Sequence, residues 1–373
     1  MIRVLHLRCG EALYGAERVL LALAAATPAP YSPIIGAIGR ASRPNLLALE
    51  ANRHGLAALH FPTSARFDLR CARSVAAAAR ANGVALLHAH DSKSMVIAVC
   101  ASALARVPLV ATYHGDTSAS LKLRGYEALG RALGNFTRGA VAVSQPLQGR
   151  LERCVVAAPV YHIPNALPET PALSADERLA ARKKLQLKLD EPVICLVGRL
   201  SPEKGHRVLF EALRQMGQPP RTVIAGDGPL RESLQKKARG LPVEFVGYRS
   251  ATRTIYAASD LAVIPSLMEG LPLVALEAMS LGVCVLSSSV GDLPSLLSAG
   301  AGYTVPRGDP VALAQAVRWL CASKMARQTA TLRALERVRR YSVRAVADLY
   351  AGTVYARALR SAARTSAEDN QPA

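Results

Sequence analysis

Residues 259–288, "SDLAVIPSLMEGLPLVALEAMSLGVCVLSS", contain a strand pattern, a helical pattern and a second strand pattern in succession. The apolar runs at 261–265 and 283–288 have the length and composition of strands that are buried on both faces. Between them, Pro272 suits the first turn of a helix and Gly282 is placed to end it. This stretch predicts a strand–helix–strand unit of a parallel sheet.

The same alternation of apolar strands and Ala/Leu-rich helical patterns continues along the chain. Candidate strands lie at 2–7, 33–39, 84–90, 108–114 and 139–144, and a second series lies at 192–198, 221–226, 243–247, 261–265 and 283–288. Two such series predict an α/β chain with two doubly wound, Rossmann-like domains. Because ligands of these sheets bind beyond the carboxyl ends of the strands, we expect the two sheets to face each other across a binding cleft.

The length of 373 residues suits two domains. Prolines and polar residues interrupt the pattern between 163 and 187. We therefore predict an amino-terminal domain over 1–168, a linker over 169–190, a carboxyl-terminal domain over 191–340, and a helix with a frayed tail over 341–373.

The chain is strongly basic, with 46 Lys and Arg against 27 Asp and Glu and a formal net charge of +19. Such a surplus suggests an anionic partner, either nucleic acid, a membrane surface or a phosphorylated ligand. The seven cysteines include no Cys-x-x-Cys pair, which favours free thiols in a reducing compartment. No apolar run reaches the ~18 residues that a membrane-spanning helix needs. We expect a cytoplasmic protein.

Polar residues follow the strands at 192–198 and 221–226, in "LVGRLSPEKGH" and "AGDGPL". Glycine lets a ligand approach the backbone, while guanidinium and ammonium groups suit a diphosphate. The candidate residues in these two turns are Gly198, Arg199, Lys204, Gly226 and Gly228.

Two glutamates flank the start of the helix predicted above. A helix that begins near Leu271, after Gly270, directs free N–H groups and its positive dipole end at an anion. Glu269 stands at this helix start, where its carboxylate can accept hydrogen bonds from a polyol, and Glu277 lies two turns along. The helix is too apolar for a solvated surface, so we predict that both glutamates contact one ligand.

The ordered set of motifs resembles a known family. In the second half the set is "GRLSPEKG", "AGDGPL", "FVGY", "SDLAVIPS" and "LEAMSLGVCVLSS", and in the first half it is "YGAERVL", "LLHAHDSKS", "ATYHG", "VAVSQ" and "IPNAL". Together with the paired glutamates, these motifs resemble the retaining glycosyltransferases of family 4, also called glycosyl transferases group 1, which have the GT-B fold. The resemblance covers nearly the whole chain.

The resemblance implies a role for each matching position. Arg199 and Lys204 would bind the donor diphosphate and stabilise the leaving nucleoside diphosphate. Glu277 would hold the nucleotide ribose and Glu269 the hydroxyls of the transferred sugar. His114 would face the reacting sugar. The implied donor-binding set is Gly15, Gly198, Arg199, Lys204, Gly226, Gly228, Glu269, Gly270, Leu271 and Glu277.

The sequence also departs from the family at two places. "YGAE" stands where the family often has two adjacent glycines, and "IPNAL" lacks the Gly and Asp that commonly follow its Asn. His88 and His90 point the same way on a strand and could ligate a metal. No convincing further ligands and no Asp-x-Asp motif accompany them, so we predict no metal and no cofactor.

We expect transfer of a sugar from a nucleotide-diphospho-sugar to a glycan or lipid-linked acceptor, as in the biosynthesis of cell-surface polysaccharides such as lipopolysaccharide. A sugar-nucleotide epimerase of the same fold is the enzymatic alternative, and it would turn over without an acceptor. A nucleic-acid-binding protein is the other alternative, although zinc motifs, a helix-turn-helix and an aromatic stacking motif are missing.

The surplus of basic residues also predicts a contact with a membrane. Arg124, Arg131 and Arg138 recur every seven residues, which would align them on one helical stripe beside Leu129, Leu133 and Phe136. We expect this stripe to dock on the anionic cytoplasmic face of a membrane, where each nearby cation contributes about 1 kcal/mol. A solvated surface in an arginine-rich protein is the alternative.

Overall fold

The computed structural model describes residues 1–10, 13, 15–42, 44–65, 68–114, 121–168, 170–249 and 251–368, and of residues 121–124, 126 and 364–368 it describes only the backbone. The chain divides into two compact units. The first unit comprises Met1–Pro168 and Ser342–Ala373, and the second comprises Glu169–Tyr341.

The first unit is built on a parallel sheet of seven strands in the order β3-β2-β1-β4-β5-β6-β7. Its strands are β1 (Ile2–Cys9), β2 (Tyr31–Gly39), β3 (Ala57–Pro62), β4 (Val84–Ala89), β5 (Leu109–Tyr113), β6 (Ala140–Ala142) and β7 (Val160–His162). Its helices are α1 (Gly15–Ala25), α2 (Leu46–Arg53), α3 (Leu69–Ala81), α4 (Ser92–Ala105), α5 (Leu121–Ala132), α6 (Gln145–Glu152), α15 (Val343–Leu349) and α16 (Ala356–Glu368).

The second unit has a parallel sheet of six strands in the order β10-β9-β8-β11-β12-β13. The strands are β8 (Val193–Val197), β9 (Arg221–Ala225), β10 (Val243–Gly247), β11 (Leu261–Ile264), β12 (Cys284–Ser288) and β13 (Tyr303–Val305). The helices are α7 (Ala175–Lys184), α8 (His206–Arg214), α9 (Arg231–Lys237), α10 (Arg253–Ala258), α11 (Leu273–Ser280), α12 (Leu293–Leu296), α13 (Pro310–Ala322) and α14 (Lys324–Val338).

Two doubly wound parallel sheets confirm the predicted fold class. In both sheets the strand order reverses beside the first strand, β1 or β8, which creates the switch point where such folds bind ligands. Residues 175–184, within the segment that we predicted as a linker, form α7 in the second unit, and the chain returns to the first unit from Ser342 onward.

The returning segment is anchored in the first unit. Leu167 forms a parallel bridge with Ser342, and the backbone N–H of Val343 donates to the Leu167 carbonyl at 2.9 Å. A π-helical turn, Tyr350–Tyr355, then separates α15 from α16 and buries both of its tyrosines. This segment is therefore part of the first unit's core.

Helix α11 has the sequence-predicted limits to within two residues. Pro272 is the N-cap, with extended backbone at φ −74° and ψ 129°. Gly282 follows the last turn in the left-handed region at φ +72°, which glycine adopts without a steric penalty. The strand–helix–strand prediction for this stretch is confirmed.

The arginine stripe is wrong as a single helical face. Helix α5 ends at Ala132, a 3-10 turn follows over Leu133–Phe136, and Arg138 lies beyond it, directly before β6. Gly134 allows this turn because a Cβ there would lie 2.7 Å from Val155 Cγ2. The side chain of Arg124 lies outside the described residues. Within the described ranges, none of the helices combines the length and apolarity required to cross a membrane.

Candidate functional site

The loops after β8 and β11 meet in an ion pair between two predicted site residues. Lys204 Nζ donates to Glu269 Oε1 at 2.7 Å, and Ser266 Oγ donates to the same oxygen at 2.8 Å. The Glu269 side chain is only 8% exposed, against 25% for Lys204. The backbone N–H of Leu267 also donates to the Glu203 carbonyl at 2.7 Å. These contacts fix both side chains at the carboxyl edge of the second sheet.

Glycines allow the loops at this edge to pack against one another. At Gly205, where φ is +68°, a Cβ would lie 1.8 Å from the Pro265 carbonyl oxygen. A Cβ at Gly226 would lie 1.8 Å from the Gly198 carbonyl oxygen, and one at Gly228 would lie 2.5 Å from that of Leu200. Thus these glycines are required for close packing of the loops after β8, β9 and β11, in addition to any ligand approach.

The start of α11 is held by the loop after β12. The Asp292 N–H donates to the Gly270 carbonyl at 2.9 Å, and a Cβ at Gly291 would lie 2.2 Å from that same oxygen. Leu271 is buried, and no side chain caps the helix. The positive end of the helix dipole therefore lies beside Glu269 and is not neutralised by a side-chain cap.

Glu277 has a different environment from Glu269. Thr252 Oγ1 donates to Glu277 Oε2 at 3.2 Å, and the Tyr256 hydroxyl lies 3.4 Å from the same oxygen. Burial first, and the negative charge of Glu277 second, raise the pKa of Tyr256 well above its ordinary value. Hydroxyl groups therefore contact the second glutamate, whereas the Lys204 ammonium contacts the first.

Arg199 is not brought into this network. Its side chain is exposed, and in the described part of the chain it has no hydrogen bond or ion pair. Lys204 and Arg199 thus differ, since one is fixed by a carboxylate and the other extends from the edge of β8 into solvent.

His206, which sequence analysis did not single out, begins α8 two residues after Lys204. The ring is 2% exposed, and neither of its nitrogens has a partner among the described residues. Burial, followed by the charge of Lys204, lowers the His206 pKa to about 4. The ring is therefore neutral at pH 7, and its only sequence signal was its place after "EKG".

In the first unit, His114 follows β5 at the carboxyl edge of the sheet. Its ring stacks on that of His90, with centroids 6.2 Å apart, and it shares a hydrogen bond with the Asn165 side chain. Burial, and then the positive charge of Arg8, lower the His114 pKa to about 3. A neutral ring at pH 7 can share hydrogen bonds with a sugar but does not provide a cation. Asn165, from the atypical "IPNAL" motif, was not predicted to have this contact.

A buried network links this edge to the carboxyl-terminal segment. The His88 ring shares hydrogen bonds with the Tyr355 hydroxyl at 2.9 Å and with Thr112 Oγ1 at 2.8 Å. Tyr350 joins Thr112 through its hydroxyl at 2.9 Å. Tyr350 and Thr112 also line a small cavity together with His90 and His114. The returning segment therefore supports the side chains around His114 from within the first unit.

A third histidine joins the pair considered as metal ligands. His6 lies opposite His88 in register, and its Nδ1 is 3.1 Å from His90 Nε2. The three rings can offer ligand atoms within 4.8 Å of one another, the one such group among the described residues. Both His88 nitrogens have hydrogen-bond partners within the protein, and His6 and His90 bond to each other, which favours a structural network. Gly15 is the exposed first residue of α1.

Comparison with known proteins agrees with the fold. The profile of the group 1 glycosyl transferases matches residues 191–323, and that of Glycosyltransferase Family 4 matches residues 14–169. The putative teichuronic acid biosynthesis glycosyltransferase TuaC of Bacillus subtilis is 31% identical over 62% of this chain and 60% of its own length. The phosphatidyl-myo-inositol mannosyltransferase of Mycobacterium leprae is 29% identical over 70% of this chain and 71% of its own.

A solved structure has the same fold. The Anabaena protein HepE, crystallised with UDP-glucose, is similar with a TM-score of 0.85 at 22% identity, over 95% of this chain and 100% of that one. Both halves of the chain thus match the same group of proteins, in sequence and in fold, and the resemblance drawn from the motifs is confirmed. The chain belongs to the family 4 glycosyltransferases and has the GT-B fold.

Proposed function

We propose that this protein is a retaining glycosyltransferase that transfers a sugar from a nucleotide-diphospho-sugar to a glycan or lipid-linked acceptor. In this reaction the bond between the anomeric carbon and the donor phosphate oxygen breaks. A bond from that carbon to an acceptor hydroxyl oxygen forms on the same face. The electron pair of the broken bond leaves with the nucleoside diphosphate, and the hydroxyl proton is released.

The observation that carries the proposal is the arrangement around the Lys204–Glu269 ion pair. A cation fixed beside an uncapped helix start suits a diphosphate, whose charge grows as the sugar departs. Glu269 still has its second oxygen for sugar hydroxyls, while Glu277 lies among hydroxyl groups and can accept from a ribose. Arg199, exposed and without a partner in the described chain, supplies the second positive charge for the diphosphate.

The matching proteins guide the choice of substrates. HepE was crystallised with UDP-glucose, so UDP-sugars are the first donors to test, followed by GDP- and ADP-sugars. The names of the two relatives refer to teichuronic acid and to phosphatidyl-myo-inositol, which suggests acceptors in cell-surface polymers or glycolipids.

We further propose that transfer needs no metal and that the protein contacts anionic membranes peripherally. The membrane proposal is supported by Phe136 and Val156, which are 68% and 85% exposed. They lie on neighbouring segments, because the Val156 N–H donates to the Asn135 side chain at 2.8 Å. Vesicle co-sedimentation with anionic and neutral lipids tests it, because equal binding to both would contradict an electrostatic contact.

Donor hydrolysis tests the proposed chemistry without a known acceptor. We expect NMR to show release of the sugar first as the anomer present in the donor, at a rate that a chelator leaves unchanged. An inverted first product would reject retention, and loss of activity with the chelator would reject metal independence. Epimerisation of the donor sugar would instead support the sugar-nucleotide epimerase.

A further inference from the structure

A large cavity of the first unit lies at the carboxyl ends of β1, β2 and β3. Its volume is about 1320 Å³. Small-molecule sites usually measure about 300–1,000 Å³, so this cavity has room for a ligand larger than a single sugar. Arg8, which lines the cavity, also acts electrostatically on His114. The cavity therefore lies near the edge where the sugar is proposed to react.

The cavity lining is positively charged. Among the described lining residues, four are cations and two are carboxylates, which leaves a surplus of two positive charges: Arg8, Arg40, Arg70 and Lys93 against Glu17 and Asp68. Arg8 forms an ion pair with Glu17 at 2.9 Å, so these two charges compensate each other.

Asp68, the second carboxylate, accepts hydrogen bonds from backbone N–H groups. Asp68 caps α3 by accepting from the Cys71 N–H at 3.0 Å, and it also accepts from the Ser64 N–H at 3.2 Å. These hydrogen bonds, that of Cys71 first, lower the Asp68 pKa, so the group stays ionised while it caps the helix. It therefore accepts hydrogen bonds at the helix start and, among the described residues, forms no ion pair with the cations of the cavity.

Lys93 is the most informative cation. It is half-buried in the first turn of α4, and its ammonium has no ion-pair partner in the described part of the chain. The nearby Asp91 accepts from the N–H groups of Cys9, Lys93 and Ser94, which uses both of its oxygens. The Cys71 thiol is also close, but burial raises its pKa to about 11, so it is not a thiolate at pH 7.

Arg70 is the second cation of the lining without an ion-pair partner among the described residues. It lies in the first turn of α3, is exposed, and has no side-chain partner among the described residues. The starts of α3 and α4 are capped by Asp68 and Asp91. The positive charge that remains for a ligand is therefore that of Arg70 and Lys93, neither of which has an ion-pair partner among the described residues. The hydroxyls of Ser64 and Ser74 line the same space and suit sugar or phosphate oxygens.

We propose that this cavity binds a phosphate group carried by the acceptor, with Lys93 and Arg70 as its charged ligands. The inference rests on the proposed function, because it assigns the class of acceptor. A phosphomonoester carries about −1.5 to −2 charges at pH 7, which matches the surplus of two positive charges in the lining. A phosphorylated sugar and a phospholipid headgroup share this chemistry.

Binding of soluble phosphates gives the first test. We expect glucose 6-phosphate to bind the full-length protein saturably in calorimetry, and glucose to bind far more weakly. Lys93→Met and Arg70→Gln should each weaken the binding of glucose 6-phosphate by about tenfold, as expected for the loss of one charge-assisted hydrogen bond. Arg73→Gln is the matched control, since Arg73 is exposed on the same helix but does not line the cavity. It should change the affinity less than about twofold.

Vesicles distinguish the two sources of phosphate. If glucose 6-phosphate does not bind but vesicles of phosphatidic acid in phosphatidylcholine do, and Lys93→Met abolishes that binding, the phosphate is recognised as a lipid headgroup. Equal binding of glucose and glucose 6-phosphate would overturn the proposal. So would an equal loss in Arg73→Gln, or vesicle binding that does not change in Lys93→Met.

Titration with UDP, GDP and ADP separates this proposal from the proposed function. We expect the Lys93 and Arg70 variants to bind the nucleotide as the wild type does. If Lys93→Met abolishes nucleotide binding, the cavity is the nucleotide site and the acceptor-phosphate proposal is wrong. If no nucleotide binds to any variant while glucose 6-phosphate still binds, the proposed function fails and the phosphate site stands.

Discussion

The carboxyl edges of the two sheets differ in the charge of their side chains. In the second unit Lys204 and Glu269 form an ion pair that is held by loops that approach through glycines. In the first unit the histidines near the edge, His6, His88, His90 and His114, are kept neutral by burial. The same topology thus supports one edge suited to a diphosphate and another whose buried ring network is sensitive to protonation.

The comparison first predicts that the charged pair dominates turnover. Lys204→Ala should reduce transfer or donor hydrolysis by about 100- to 1,000-fold, because it removes a cation from the departing diphosphate. It should also destabilise the second unit by about 1–3 kcal/mol, because the poorly exposed Glu269 carboxylate loses its partner.

A double variant separates these two effects. Lys204→Ala combined with Glu269→Gln removes the unpaired charge, so stability measured by urea unfolding should recover while activity does not. Arg199→Ala, which breaks no side-chain hydrogen bond or ion pair among the described residues, should lower turnover without changing stability. Near-normal turnover in both single variants would show that the diphosphate assignment is wrong.

Replacing Glu277 and replacing Glu269 should weaken the binding of different parts of the donor. Glu277→Ala should weaken binding of the bare nucleoside diphosphate by about tenfold, because a ribose loses a charged acceptor. Glu269→Ala should weaken the intact nucleotide-sugar much more than the bare nucleotide. Calorimetry with both ligands measures this, and equal losses in both variants would remove the division between ribose and sugar.

The first unit should be the more sensitive to acid. An unfolded chain binds protons on histidine at about pH 6.5, whereas burial lowers the pKa of His6 and His114 to about 3. Between these values the unfolded state holds more protons, so the free energy of unfolding falls as the pH falls. Each such histidine contributes up to about 1.4 kcal/mol per pH unit.

In the second unit, His206 is the one histidine among the described residues, and its lowered pKa should make the free energy of unfolding fall with pH in the same way. Hydrogen exchange followed by mass spectrometry between pH 7 and 4.5 would compare peptides of the two units. His6→Gln should reduce the pH slope of the first unit. Equal slopes in the two units would contradict the comparison.

The last comparison concerns the returning carboxyl-terminal segment. Tyr355→Phe removes the hydroxyl from the buried His88 ring and should destabilise the first unit by about 1–3 kcal/mol. Tyr303→Phe is the matched control in the second unit, because its hydroxyl donates to the Ala326 carbonyl from a partly exposed position. It should cost less. Hydrogen exchange measures the stability of each unit in both variants. An equal loss of stability in the two variants would argue against a special role for the His88 network.

Local patterns were sufficient for much of the fold. The limits of α11 followed from Pro272 and Gly282 because these residues act on the backbone directly. Strands β3, β7 and β13 were not predicted. Two of them have only three residues, and β3 is a half-exposed edge strand, so none forms a continuous apolar run.

Contacts between distant residues could not be read from the sequence. Lys204 and Glu269 were each predicted, but their pairing joins positions 65 apart. His6 reached the His88–Ala–His90 motif only through the pairing of β1 with β4. The helical stripe through Arg138 failed because the turn after α5, at Leu133–Phe136, breaks the periodicity on which it depended.

The central claim is that the second unit binds a nucleotide-diphospho-sugar through the Lys204–Glu269 edge. The most direct test is calorimetric titration of the wild type and of Arg199→Ala and Lys204→Ala with a panel of UDP-, GDP- and ADP-sugars. We expect at least one donor to bind the wild type, and we expect each variant to bind that donor about tenfold or more weakly. A folded wild type that binds none of these donors, or variants that bind the donor as the wild type does, would contradict the account.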